Sequence, residues 1–380
     1  AIPLFIVAGI VLLAFAAPRG APRVAIPVWP IAVIAGFILA TANLPAIQAS
    51  AEVGRTNHTA TLLPDGRVLV AGGGYNAVTA KATIYDPATN AWAPIAGMNK
   101  PRVLHAAVAL PGSRVLVVGG TEPNAPASAE VFDAASGSWR LIDGPSSIGF
   151  AVKALVLGDG RVFAIGLDRT GGGSSAEIFD PATLSWRVAA DVPRIQQVVG
   201  VEAVQGGAVL VIGNGATQAL LVREGTVTPV GSGTSPVSAA VPLGDGRILV
   251  LSGAEHGEAP VAAAIVGASS RTDVASPTVR RYDFTGIALR DGSVLIAGGN
   301  QVSGSPALGR PVADAELFDP ATGRWSTLPP MNQARAGHTY TLLPDGRVLV
   351  IGGATREGPL ASAEIFDPST RTWTLTAPVR

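Results

Sequence analysis

The hydrophobic and polar positions of the chain form a four-part pattern that is clearest near the C-terminal end. HTYTLL (338–343) alternates polar and apolar residues, as a strand with one buried face does. RVLVIGG (347–353) is a β-branched run that ends in two glycines, and the PDG between the two runs is a turn sequence. SAEIFD (362–367) predicts a third strand, and Trp373 marks a fourth after another turn. Four strands joined by tight turns predict one antiparallel sheet, which cannot bury both of its faces without neighbours.

This pattern recurs seven times along the chain, at intervals of 39 to 54 residues. The first position of the glycine pair after the second predicted strand falls at Gly72, Gly119, Gly166, Gly213, Ser252, Gly298 and Gly352. A period of about 40 to 50 residues with four strands in each repeat is typical of a β-propeller. The sequence therefore predicts an all-β propeller with one blade for each repeat.

The repeat marks resemble those of the kelch-repeat family, which includes propellers of the galactose-oxidase type. The matching residues are the glycine pairs at 72, 119, 298 and 352, the pairs Tyr85-Asp86, Phe132-Asp133, Phe179-Asp180, Phe318-Asp319 and Phe366-Asp367, and Trp92, Trp139, Trp186, Trp325 and Trp373. The resemblance implies a seven-bladed kelch-type propeller over residues 55–380. It leaves the function open, because propellers of this kind serve many unrelated activities.

Repeats four and five lack both the aromatic-Asp pair and the tryptophan. One interpretation is sequence drift with the sheet retained, since tertiary context readily overrides local preference. The other is that these two blades contact something that the other blades do not.

The N-terminal 45 residues differ from the repeats, because residues 1–17 and 24–44 are two uncharged, mainly apolar runs. A membrane span needs about 20 apolar residues, so the second run qualifies and the first is marginal. The alternatives are a two-helix membrane hairpin, a single span over 24–44, and a cleavable signal ending near Ala49-Ser50-Ala51. We expect a membrane anchor over 1–45 and a linker over 46–54. The residues chosen as bilayer contacts are Phe5, Leu12, Trp29, Phe37 and Leu39.

Arg19 and Arg23 lie between the two apolar runs. Basic residues beside a span stay cytoplasmic, so the propeller is expected on the extracytoplasmic side, in a bacterium the periplasm.

Composition excludes several kinds of partner and chemistry. The formal net charge is zero and only 14% of the residues are charged, so no nucleic-acid partner is indicated. The chain has no cysteine, which excludes disulfides and thiolate sites. It also excludes galactose-oxidase chemistry, which uses a tyrosine crosslinked to cysteine. We expect no cofactor.

The main polar feature is an Arg-x-x-His motif before the first strand of three repeats, with Phe284 in place of histidine in a fourth. The candidate binding residues are Arg55, Arg102, Arg281, Arg335, His58, His105 and His338. One hypothesis is that these side chains, from adjacent repeats, form an arc on the rim that binds an anion or an acidic loop. The alternative is structural pairing of the arginines with strand-three glutamates, namely Glu130, Glu177, Glu316 and Glu364.

The three histidines also raise the possibility of a zinc or copper site, which needs about three ligands that converge on one point. Equivalent positions in a ring of repeats lie around an axis and do not converge unless they point into the channel. The sequence therefore favours a structural role for these histidines and no metal.

We expect a non-enzymatic interaction subunit of a larger membrane complex, and distant resemblance suggests a photosynthetic or respiratory one. The alternative is a propeller that binds or processes carbohydrate in its axial funnel. Arginine, histidine and aromatic side chains lining the funnel would favour carbohydrate, and aliphatic side chains would favour the scaffold. A third possibility is a freely diffusing periplasmic binding protein.

Overall fold

The computed structural model describes residues 54–379, apart from 76, 121–126, 169–172, 194, 196, 215–218, 232–236, 253–261 and 302–308. All regular secondary structure in this part is β, which confirms the predicted all-β class. Within it, no helix is long and apolar enough to cross a membrane. The expected anchor over 1–45, with Arg19 and Arg23, lies outside the described residues and stays a prediction.

The described strands form seven four-stranded antiparallel sheets, each built from one contiguous stretch of chain. We number them sheets 1 to 7 in chain order. The strands of sheets 1 to 4 are β1 Thr59–Leu62, β2 Val68–Ala71, β3 Ala82–Asp86 and β4 Ala91–Ile95; β5 Ala106–Leu110, β6 Arg114–Val118, β7 Ala129–Asp133 and β8 Ser138–Ile142; β9 Ile148–Val156, β10 Val162–Asp168, β11 Ser174–Asp180 and β12 Ser185–Val192; and β13 Gln197–Val204, β14 Ala208–Asn214, β15 Ala219–Arg223 and β16 Thr226–Gly231.

Sheets 5 to 7 follow the same order, and a small three-stranded sheet lies beside sheet 6. Their strands are β17 Val237–Pro242, β18 Ile248–Ser252, β19 Ala262–Val266 and β20 Arg271–Val274; β22 Gly286–Ala288, β23 Val294–Ala297, β26 Ala315–Asp319 and β27 Arg324–Leu328; β28 Thr339–Leu342, β29 Val348–Ile351, β30 Ala363–Asp367 and β31 Thr372–Leu375; and, in the small sheet, β21 Arg281–Tyr282, β24 Asn300–Gln301 and β25 Arg310–Pro311. Repeats four and five thus keep their sheets despite their altered sequences.

The turn between the first and second strands has the predicted chemistry. Gly66 and Gly346 have φ of 87° and 89°, the left-handed region in which glycine avoids a steric cost. In the same turns the carboxylates of Asp65 and Asp345 each accept the N–H two residues on, at 3.0 Å. These turns fix the register that places one face of each first strand towards the core.

The apolar core lies between neighbouring sheets. The second strands are continuous aliphatic runs because a sheet covered on both sides has no solvent face, and β2, β23 and β29 are buried throughout. Each core cluster joins two consecutive sheets, and one cluster joins sheet 7 to sheet 1 through Ile351 and Val70. The sheets therefore stabilise one another in a cyclic order.

The first strands form the inner part of this arrangement. Contacts run from β1 through β5, β9, β13, β17, β22 and β28, and β28 contacts β1 again. This arrangement is typical of a β-propeller. In each sheet the turns after the first and third strands lie at one end, which we call the turn end. The loop after the second strand and the connection to the next sheet lie at the other end, which we call the loop end.

Candidate functional site

The four predicted arginines lie buried at the loop ends of sheets 1, 2, 6 and 7. Arg102 and Arg335 have no exposed surface, and Arg281 and Arg55 are 4% and 6% exposed. Each donates through Nη1 to the carbonyl of the first glycine in its own sheet. The distances are 3.4 Å for Arg55 to Gly72, 2.7 Å for Arg102 to Gly119, 2.9 Å for Arg281 to Gly298 and 2.7 Å for Arg335 to Gly352. The arginines thus brace the strand end that carries the glycine pair.

Three of these arginines form buried ion pairs with the third strand of the same sheet. The pairs are Arg102–Glu130 at 3.0 Å, Arg281–Glu316 at 2.7 Å and Arg335–Glu364 at 2.8 Å. The glutamates also accept backbone N–H groups from the incoming connection, such as those of Asn99 and Lys100 on Glu130 at 2.7 and 3.1 Å. This is the structural pairing considered from the sequence. Binding of an external anion or acidic loop by the same side chains stays an untested prediction.

Sheets 1 and 3 depart from this pairing. Among the described residues Glu177 has no arginine partner, because Gly149 occupies the motif position. Its carboxylate accepts from the backbone N–H of Ser146 and from the hydroxyl of Ser147, at 3.0 and 2.6 Å. Pairing of Glu177 with an arginine was therefore a wrong expectation. In sheet 1, Thr83 replaces the glutamate and donates to the carbonyl of Ala93 at 3.0 Å.

The predicted histidines lie between neighbouring sheets, each against the glycine pair of the preceding sheet. A Cβ on Gly72, Gly352 or Gly298 would come within 2.7 to 2.8 Å of Cε1 of His105, His58 or His338, respectively. Nε2 of His105 and His58 lies 2.9 Å from the hydroxyl of Thr59 and Thr339, respectively. The first glycine is therefore required by an imidazole ring from the next sheet.

The second glycine of each pair makes a complementary backbone link. Gly73, Gly299 and Gly353 donate their N–H groups to the carbonyl of the motif arginine of the next sheet, at 2.7, 2.8 and 3.0 Å. From the sequence, the glycine pair was interpreted as the end of a strand. Its contact with the Arg-x-x-His segment of the next sheet was missed. The matching spacing of the two motifs was the available signal.

Burial controls the charge of these histidines. Desolvation, with the nearby motif arginines, lowers the pKa of His58, His105 and His338 from 6.5 to about 3. The rings are therefore neutral at pH 7. Within the described residues, neither ring nitrogen of His338 has a hydrogen-bond partner, although its ring lies edge-on to Tyr340 with centroids 4.8 Å apart.

The repeat tryptophans link the fourth strands of consecutive sheets. Each indole lies 4.7 to 4.9 Å from the aromatic ring of the third strand in its own sheet. Its N–H donates to a carbonyl just after the fourth strand of the preceding sheet. The bonds are Trp139 to Ala96 at 2.8 Å, Trp186 to Asp143 at 2.9 Å, Trp325 to Ala275 at 2.7 Å, Trp373 to Pro329 at 2.9 Å and Trp92 to Ala377 at 3.1 Å. The last of these joins sheet 1 to sheet 7.

A cavity of about 440 Å³ lies among the first strands of sheets 3, 4 and 5. Its charged lining residues are Lys153 and Glu202, and the rest of the lining is mainly Ala, Val and Gly without an aromatic ring. Burial raises the pKa of Glu202 and lowers that of Lys153, which nevertheless retains surface open to the cavity. None of the predicted arginines or histidines lines this cavity, so it does not carry the features expected of the carbohydrate alternative.

The loop ends of sheets 1 and 2 carry an apolar surface that the sequence motifs did not indicate. Tyr75, Val78 and Leu104 are 52%, 48% and 55% exposed. A backbone hydrogen bond connects the two loops, from Gly73 N–H to the carbonyl of Arg102 at 2.7 Å. Leu104 donates its N–H to the carbonyl of Asn57, in the segment before β1, at 3.3 Å. We call Tyr75, Val78 and Leu104 the loop-end patch.

Leu104 occupies the position before the histidine with φ of +57°. The equivalent residues are Asn57 at 54°, Asp283 at 52° and Gly337 at 66°, residue types that tolerate this conformation. A leucine there carries a backbone cost of about 1 to 2 kcal/mol. An exposed leucine in such a conformation is a candidate functional residue.

No group of three or more His, Asp or Glu side chains among the described residues is placed to hold an ion.

Comparisons with known proteins agree on the fold. A kelch motif model matches residues 280–332 and 342–380, and no curated protein matches the sequence. The structure is similar to that of a fungal alcohol oxidase of the AA5 family in complex with copper. The TM-score is 0.67 at 19% sequence identity, over 86% of this chain and 74% of the oxidase. These similarities support a β-propeller fold with kelch motifs.

Proposed function

We propose that this protein is a seven-bladed kelch-type propeller that acts as a non-enzymatic interaction subunit on the extracytoplasmic face of a larger membrane protein complex. The closed series of seven sheets supports the blade number. The uncharged runs 1–17 and 24–44, with Arg19 and Arg23 between them, support a membrane anchor in the orientation given above.

The observation that carries the proposal is the loop-end patch. Tyr75, Val78 and Leu104 are large apolar side chains on neighbouring loops, and exposed apolar clusters of this kind mark interaction sites. Gly54, where the chain enters sheet 1, lies at the same loop end, against the backbone of Pro359 and Leu360.

The charged residues around the patch indicate the charge of the partner surface. Lys81 and Lys100 are exposed on the same pair of loops. A partner surface that complements the patch is therefore apolar and weakly acidic, and we assign that surface to a protein subunit.

Leu104→Asn tests the proposal, because Asn57 already adopts the same backbone conformation in sheet 1. The matched control is Leu141→Asn, which changes a leucine on β8 that is 47% exposed and is not part of the patch. Each chain would be extracted from native membranes in mild detergent and captured, and its co-purifying proteins identified by mass spectrometry.

Wild type and Leu141→Asn should recover stoichiometric membrane subunits that Leu104→Asn loses. Recovery of wild type alone, its release from membranes without detergent, or equal recovery with Leu104→Asn would contradict the proposal. Binding of wild type to protein-free lipid vesicles through the patch would replace the protein partner with the bilayer.

A further inference from the structure

Sheet 4 lacks the aromatic pair that joins sheets 1, 2, 3, 6 and 7 to their preceding neighbours. In sheet 3 the pair is Phe179 opposite Trp186, with ring centroids 4.9 Å apart. The corresponding facing positions in sheet 4 hold Val222 and Val227. Two aromatic rings are thus replaced by two small aliphatic side chains at the junction with sheet 3.

The backbone of sheet 4 compensates for the lost indole hydrogen bond. Gly225, in the turn between β15 and β16, donates its N–H to the carbonyl of Ala189 on β12 at 2.7 Å. Arg187 of sheet 3 forms an ion pair with Glu224 of the same turn. The junction therefore stays closed at its outer edge, but neither contact replaces the volume of the rings.

A cleft of about 480 Å³ remains at the turn end of this junction. Its apolar floor is formed by Phe163 and Ile178 of sheet 3 with Val209 and Val222 of sheet 4. One wall is the short turn Gln205-Gly206-Gly207, where a Cβ on either glycine would meet nothing within 4 Å. The cleft is thus open to solvent and has room for an aromatic side chain.

The rim of the cleft carries one uncompensated positive charge. Asp159 pairs with Arg161 at 2.7 Å, and Glu224 pairs with Arg187. Arg223 also lines the cleft and is exposed, and its side chain makes no hydrogen bond or ion pair with any described residue. In a ligand with an aromatic ring beside an anionic group, the ring would pack on the apolar floor and the anionic group would pair with the Arg223 guanidinium.

We propose that this cleft binds an aromatic side chain next to an acidic residue in a peptide segment of a partner protein. The ring takes the space that the other sheets fill with their own Phe–Trp or Tyr–Trp pair, and the carboxylate pairs with Arg223. The site lies at the turn end, opposite the loop-end patch, so it is independent of the membrane-docking function proposed above.

The probe is a capped Trp-Glu peptide, titrated into the full chain in detergent and followed by calorimetry, with capped Ala-Glu and Trp-Lys peptides alongside. We expect saturable binding of Trp-Glu, binding at least tenfold weaker for Ala-Glu, and an intermediate affinity for Trp-Lys. Absence of saturation with Trp-Glu at millimolar concentration, or equal binding of Ala-Glu, would overturn the proposal.

Two variants locate the site. Val227→Trp supplies an internal ring and should weaken Trp-Glu binding at least tenfold, whereas Val188→Trp, at a valine 50% exposed on β12, should not. Arg223→Gln changes an exposed side chain, so it tests the site even if the first variant misfolds. It should reduce Trp-Glu affinity to that of Trp-Lys. Unchanged Trp-Glu binding by both folded variants would place the peptide elsewhere and refute the proposal.

Discussion

Mild acid should destabilise this fold through its three inter-sheet histidines. His58, His105 and His338 have pKa values of about 3 in the folded chain, against 6.5 for an ordinary histidine. Between these values the unfolded chain holds one more proton at each site. The free energy of unfolding therefore falls as the pH falls through this window, and the stabilisation is fully present only above about pH 6.5.

The magnitude follows from the shift. From about pH 7.5 to about pH 5.5, each histidine should remove about 1.4 kcal/mol, and the three together about 4 kcal/mol. Carboxylates with ordinary pKa values contribute little over this range. Because domains are commonly stable by only about 5 to 15 kcal/mol, this loss would be readily measured.

The assay is urea unfolding of the full chain in detergent, followed by tryptophan fluorescence at both pH values. His105→Gln removes one titrating ring, so its loss on acidification should fall to about 3 kcal/mol. Thr59→Val is the control, because it removes the 2.9 Å hydroxyl contact of His105 but keeps the ring. It should lower stability equally at both pH values. Equal losses for wild type and His105→Gln would refute the assigned burial of that ring.

Three further predictions concern the links around the sheets. Arg335→Met should lower the free energy of unfolding by about 3 to 5 kcal/mol, because it leaves the Glu364 carboxylate buried without its cation; a loss below about 1 kcal/mol in urea unfolding would contradict the pairing. Gly353→Ala should cost more than Gly137→Ala in the same assay: both have positive φ, but only the Cβ at 353 meets a backbone oxygen, at 2.7 Å. Trp92→Phe should reduce hydrogen-exchange protection just after β31, where the indole donates to a carbonyl at 3.1 Å; unchanged exchange there would contradict this link.

The sheets were predictable because their determinants are local. The PDG turns place Gly66 and Gly346 where positive φ is needed. The second strands are aliphatic at every position, which indicates that both of their faces are buried. Repeats four and five also form sheets, because alternation and turn residues persist after the aromatic marks are lost. The kelch resemblance agrees with the matched motifs and with the solved oxidase fold.

The contacts between sheets were less predictable, because they depend on residues about 30 to 45 positions apart. The repeat spacing relates Gly72 to the next Arg-x-x-His segment, but it does not show that the His105 ring would exclude a Cβ at Gly72. The vacant arginine position at Gly149 was visible in the sequence, but the serine donors that replace it at Glu177 were not. Leu104 gave no signal, because its left-handed backbone is a property of the folded connection.

Gly54 and Val379 line one small cavity together with Trp92 and Ile351, at the junction between sheets 7 and 1. In the described chain, a peptide connection crosses every junction between consecutive sheets except the one between sheets 7 and 1. Among the described residues, that junction is therefore held by non-covalent contacts alone, including the Trp92 indole bond to the carbonyl of Ala377. A circular permutant that joins Val379 to Gly54 and opens the chain between sheets 2 and 3 would keep every sheet intact and move the non-covalent junction to the new break.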